Sequence, residues 1–166
     1  NKAERLFREY MLVGGMPQAV ERYLGTSDMG NVDRVKRQIL HLYAQDIEQY
    51  GGDSKERVKR IFDEIPGQLS KHEKKFTLSS LGKNAREREY GDAFFWLDES
   101  FLINRCMNAT DPHVGLRLHQ EDSTMKCYMG DTGLLVTQVF ADRAYTSNEL
   151  YRDILFGKLE VNEGML

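Results

Sequence analysis

The chain has 166 residues, enough for one large or two small domains, and its hydrophobic share of 40% is ordinary for a protein that buries a core. Lys plus Arg total 23 against 26 for Asp plus Glu, and this net charge of -3 excludes a global pull toward nucleic acid, so any such contact must come from a local patch. No apolar run approaches the roughly 20 residues of a membrane-spanning helix, charges from Lys2 to Glu9 interrupt any signal-peptide core, and Cys106 and Cys127 lack metal or disulfide spacing, so a cytoplasmic chain with reduced thiols is expected.

In chain order, Leu6, Phe7, Tyr10 and Met11 recur at helical spacing until Gly14-Gly15 stops the helix. Pro17 then opens a short helix with Ala19, Val20, Tyr23 and Leu24 inward. Asn31 is positioned to cap a long helix carrying Val32, Val35, Ile39, Leu42, Tyr43, Ile47 and Tyr50, which Gly51-Gly52 ends. A further helix is predicted from Asp53 or Ser54 through Val58, Ile61, Phe62 and Ile65 to Pro66, which cannot continue it.

The rhythm then changes. Phe76 to Leu78 is a strand signal, Ser79 or Ser80 caps a brief helix to Leu81, and Gly82 turns the chain into a helix over about 84–99. Its apolar side carries Tyr90, Ala93, Phe94 and Leu97. Strands are predicted from Phe101 to Met107 and over Met125 to Met129, with a long polar tip between them. Gly130 to Gly133 supply a turn and cap for a helix from Leu134 to Phe140, and another lies around Leu150 to Phe156. From residue 55 to 130 this order is that of a winged helix-turn-helix, so the expected fold is mainly α (α+β): a helical connector followed by a winged helix-turn-helix-like domain with a small β-hairpin.

Few residues carry chemistry. A phosphate loop ends in Gly-Lys-Ser or Gly-Lys-Thr, and the nearest spacing, Gly25 to Gly30, is followed by Asn31 and Val32, without the required charge and hydroxyl. Gly14-Gly15-Met16-Pro17 reads as a sharp helix junction or, as the minor reading, an anion site at a helix start. Lys71, Lys74, Lys75, Lys83, Arg86 and Arg88, with His72 among them, form the candidate nucleic-acid contact, diluted by Glu73, Glu87 and Glu89. Tyr90, Phe94, Phe95, Trp96 and Phe101 suit helix-to-hairpin packing better than base stacking. Nothing local marks two carboxylates as an acid-base pair, and His41, His72, His113 and His119 are scattered, His113 and His119 near the hairpin tip being the minor metal reading, so no catalytic or metal-binding residue is assigned.

Five segments resemble prokaryotic AAA-type ATPases in which an uncharacterised carboxy-terminal region follows the nucleotide-binding module. Tyr10 to Pro17 follows Y-h-x-x-G-G-h-P, Leu42 to Ile47 follows L-Y-x-x-D-I, and Ile65 to Ser70 follows I-P-x-x-L-S. Ala85 to Tyr90, Asp92-Ala93, Trp96-Leu97 and Leu102-Ile103 continue the pattern, and Tyr128 to Leu135 follows Y-x-x-D-x-G-L-L. The resemblance implies a helical lid and connector over 1–53, a winged-helix-like domain over 54–140, and in 141–166, around Glu160 to Glu163, the truncated start of a nuclease-like domain. ATP and Mg belong, on this reading, to the parent protein, and none is expected in this fragment. The expected function is that of a non-catalytic accessory region binding DNA or a partner; the competing expectation is a protein-protein or oligomerisation module with no nucleic acid. Expected partners are the missing ATPase module and C-terminal domain, DNA, or a second copy of the chain, and no membrane.

Overall fold

A computed structural model describes residues 2–71, 75–83, 85–111, 115–143 and 146–155. The described elements are α1 (Lys2–Val13), α2 (Pro17–Thr26), α3 (Met29–Tyr50), α4 (Lys55–Leu69), α5 (Glu87–Glu99), β1 (Ile103–Ala109), β2 (Gln120–Met129), α6 (Thr132–Val139) and α7 (Asn148–Leu155), with short 3-10 turns at Gly52–Ser54, Leu78–Leu81 and Leu116–His119. The chain is therefore mainly helical with one small antiparallel sheet. No described helix is long and apolar enough to cross a membrane.

The elements form two compact units, Asn1–Asp46 with Asp131–Leu166 and, by itself, Ile47–Gly130. These units differ from the consecutive division expected at 53 and 140, because α6 and α7 pack on α1, and Tyr151 of α7 joins the core formed by Leu12, Val13, Ala19, Met29, Val32 and Val136. Described residues 146–155 pack with the first unit; Glu160 to Glu163 lie outside the described residues.

In the first unit, α1 is supported on its wet side by the pairs Arg8–Glu4 and Arg5–Glu9, while Met11, Leu12 and Val13 turn inward. Leu6, Phe7, Tyr10, Leu24 and Leu42 stay exposed, so the apolar spacing there overstated burial. The cap of α3 is Asp28, three residues before the expected Asn31: its Oδ1 accepts from Asn31 N–H (2.8 Å). Asn148 cross-links the starts of α3 and α7, its Nδ2 donating to Asp28 Oδ2 and its Oδ1 accepting from Gly30 N–H, both at 3.0 Å. The Asn31 N–H, foremost among these donors, holds the Asp28 carboxyl below its ordinary range.

In the second unit, Val58, Ile61, Phe62 and Ile65 of α4 face Tyr90, Ala93, Phe94 and Leu97 of α5 across a core closed by Phe76, Leu102, Ile103 and Cys127. The Phe76 and Phe94 rings meet edge to face at 5.3 Å. Burial pushes the Cys127 thiol up to about 12, which keeps it a neutral packing group, and Cys106 is exposed.

Three local expectations change. Helix α4 runs past Pro66 to Leu69, because Gln68 and Leu69 are buried and Gln68 Nε2 donates to Glu64 (2.8 Å) and Ser80 (2.7 Å), while its Oε1 accepts from Thr77 N–H (3.1 Å). Helix α5 begins at Glu87, since Arg86 has extended backbone angles. Strand β2 begins at Gln120, five residues early, pairing Asn108 with Glu121 and Ala109 with Gln120 beyond a register break at Met107/Asn108. The segment expected as a first strand contributes one rung, Phe76 N–H to Met125 C=O at 2.8 Å.

Helix α5 ends in a two-bond cap, Phe101 N–H to Asp98 C=O and Leu102 N–H to Leu97 C=O, both 3.0 Å. That cap puts Phe101 at φ 56, where a Cβ is unfavourable, yet its side chain is 88% exposed and recovers nothing by burial. Phe101→Gly is expected to raise stability by about 1 kcal/mol in urea unfolding; a loss would show that the ring holds a contact in solution.

Candidate functional site

The basic candidates lie in the second unit. Lys71 follows α4, Lys75 enters the extended segment, Lys83 and Arg86 precede α5, and Arg88 lies in its first turn; all five are exposed. Lys74 lies outside the described residues, as do His72, Glu73 and His113. Residues 71–88 contain six Lys or Arg against two Glu. Among the described residues none of the five cations is ion-paired, and Lys75 donates to Thr124 Oγ1 at 3.2 Å.

The solvent face of α5 has another character. With Tyr90, Ala93, Phe94 and Leu97 turned into the core, helical geometry gathers Arg88, Asp92, Phe95 and Glu99 into one opposing stripe, flanked by Glu89 and Gly91. Phe95 is 60% exposed. The stripe therefore reads basic, acidic, aromatic, acidic along the helix.

The first unit contains an ionic cluster that sequence reasoning missed. Asp33 and Lys36 are both fully buried. Asp33 Oδ1 accepts from Tyr151 Oη (2.9 Å) and Thr137 Oγ1 (3.3 Å), and its Oδ2 accepts from Arg37 Nε (2.7 Å) and Thr146 N–H (3.4 Å). Lys36 Nζ donates to Leu12 C=O (2.8 Å) and Tyr151 Oη (3.1 Å), while Arg37 also holds Phe140 C=O and Thr146 Oγ1. Desolvation lowers Lys36 to about 8 against the pull of Asp33 and Asp131, and burial pushes the Tyr151 phenol up. With Asp33, Lys36 and Tyr151 buried and Arg37 partly exposed, these groups tie α1, α3, α6 and α7 together. One signal was legible: Asp33 and Lys36 share the stripe of Met29 and Val32.

Two motif segments more than a hundred residues apart interlock in the same unit. Asp131 caps α6 through Oδ1, which accepts from Leu134 N–H (2.8 Å), and its Oδ2 accepts from Gly15 N–H (2.6 Å). Gly14 has φ +83, and a Cβ there would strike the Asp131 carboxylate; a Cβ on Gly133 would strike the Val13 carbonyl and lie 2.6 Å from Gly14 N. Tyr43 Oη reaches Met16 Sδ at 3.8 Å, and burial, followed by the charges of Asp131 and Asp46, raises its phenol. The Gly-Gly-x-Pro turn is therefore a helix junction whose anion partner is the chain's own Asp131.

An open groove of about 650 Å³ between α2 and α3, lined by Gln18, Glu21, Arg22, Val35, Gln38 and Leu42 among others, brings together no acid-base or metal set. No three His, Cys, Asp or Glu among the described residues could hold a metal. The Gly25–Gly30 spacing does not fit a nucleotide phosphate: Gly25 lies inside α2, Gly30 inside α3, and Val32 in the core. A family model described as a domain of unknown function (DUF8612) matches residues 4–145. No curated protein and no solved structure matches the chain.

Proposed function

The chain belongs to the DUF8612 family, and from its own geometry we propose that it is a non-catalytic docking module in which the solvent face of α5 meets protein. The observation that carries this is the composition of that face: Arg88 stands alone among Glu89, Asp92, Phe95 and Glu99. Three carboxylates repel phosphates, and a helix that enters a DNA groove needs its cations at the contact. An exposed aromatic framed by charge suits a protein interface, where Phe is enriched at the centre and charge at the rim.

A winged-helix-like reading of Ile47–Gly130 is supported by the order α4, extended segment, 3-10 turn, α5, β1, β2, and by the Phe76 rung on β2. The accessory role beside an AAA-type ATPase module rests on the five resembling segments, two of which, Tyr10–Pro17 and the Asp131–Leu135 end of the last, meet at the Asp131 junction. One observation favours the competing DNA reading: the cluster of exposed cations over 71–88. Fluorescence anisotropy with a random-sequence duplex at low salt separates the two. No isotherm is expected; salt-dependent binding that Arg88→Gln or Lys83→Gln weakens would replace docking by phosphate contact.

A further inference from the structure

Resting on that docking reading, we propose that the partner of α5 is a second copy of this chain, the two helices packing antiparallel across the Arg88, Asp92, Phe95, Glu99 stripe. The stripe is self-complementary in one direction only. Its basic end, Arg88, and its acidic end, Glu99, lie eleven residues apart on one face. A twofold axis near the middle of the stripe sets Arg88 of each copy against Glu99 of the other, whereas parallel packing sets like charge on like charge.

The middle of the helix fits the same arrangement. Gly91 sits inside α5, exposed, and among the described residues no atom beyond its chain neighbours and its own helix backbone lies within 4 Å of where a Cβ would be, so nothing described requires a glycine there. Glycine in a helix interior is a conformational liability, and its usual compensation is close approach of another backbone or ring. In the antiparallel pair, the 60% exposed Phe95 of one copy lies over Gly91 and Asp92 of the other. Phe101, just past the C-terminal end of α5 in a backbone conformation that disfavours a side chain, is a further exposed aromatic of this unit.

A single helix pair buries less than the area of a standard stable interface, so the association is weak and concentration-dependent. Sedimentation velocity on the full chain over a concentration series, with circular dichroism verifying helicity, tests it. A monomer–dimer equilibrium is expected; Arg88→Glu and Glu99→Arg each weaken it on the order of tenfold or more, the double variant restores it, and Phe95→Asp abolishes it. A chain that stays monomeric at its highest soluble concentration, or a dimer indifferent to all four variants, overturns the second-copy assignment. The duplex titration on the same samples separates the failures: a monomer without duplex affinity sinks this proposal alone, and a monomer that binds duplex through Arg88 sinks the docking reading with it.

Discussion

Asp33→Ala is expected to cost about 3–5 kcal/mol of stability, a large share of what a domain possesses. The side chain is small and its methylene counts for little; the loss comes from what it leaves behind. Lys36 keeps a buried ammonium with its strongest counter-charge removed, and the Tyr151 and Thr137 hydroxyls and the Thr146 amide lose an acceptor. Arg37, whose side chain is partly exposed, can turn to water, so the burden falls on Lys36. Lys36→Met supplies the contrast. Burial already disfavours the Lys36 charge, and methionine fills nearly the same volume, so the main loss is the bond to Leu12 C=O, about 1 kcal/mol. Urea unfolding followed by far-UV circular dichroism ranks the two variants. An Asp33→Ala midpoint within about 1 kcal/mol of the parent would show that packing, and not the ionic network, holds these four helices together.

Gly133→Ala has the second-largest effect, and its sign opposes helix propensity. Alanine in a helix interior gains up to about 1 kcal/mol over glycine. At Gly133 the added carbon meets the backbone of Val13 and Gly14, which cannot rotate aside, and overpacking of this kind costs about 3 kcal/mol. A net loss of about 2 kcal/mol follows, with the Gly15–Asp131 bond strained in the same displacement. Gly91→Ala in α5, where the space is open, is expected to stabilise the monomer by about 0.5–1 kcal/mol. The pair of variants, measured by thermal unfolding in dilute solution, must move in opposite directions. Equal stabilisation of both would show that α1 and α6 do not approach as closely as the glycines imply.

Much of the local structure was readable from residue order. The helices announced themselves by spacing, Gly14-Gly15 by its break, and the start of α6 by the turn and cap residues Gly130 to Gly133 before an apolar run. The errors were also local in origin. Asn31 and Asp28 are both good caps, and only the cross-link to Asn148 selects Asp28. Pro66 removes one hydrogen bond near a helix end, a loss that the burial of Gln68 and Leu69 outweighs. Gln120 and Glu121 look like loop residues because strand pairing is a backbone matter, satisfied there with both side chains outside the core.

The candidate site was half visible. The cations over 71–88 were found by composition, and the acidic, aromatic character of α5's outer face followed once Tyr90, Ala93, Phe94 and Leu97 were known to face inward. By itself the sequence determined the number and periods of the described helices and most of the chain stops, because each depends on neighbours within a few residues. Only the tertiary structure decided that α6 and α7 return to α1, that Asp131 belongs to Gly15, and that Asp33 and Lys36 are core residues. Sharing the stripe of Met29 and Val32 marks Asp33 and Lys36 as inward-facing, but nothing local names the partners more than a hundred positions away; that choice is settled when distant helices close over them and the desolvation cost is offset by hydrogen bonds.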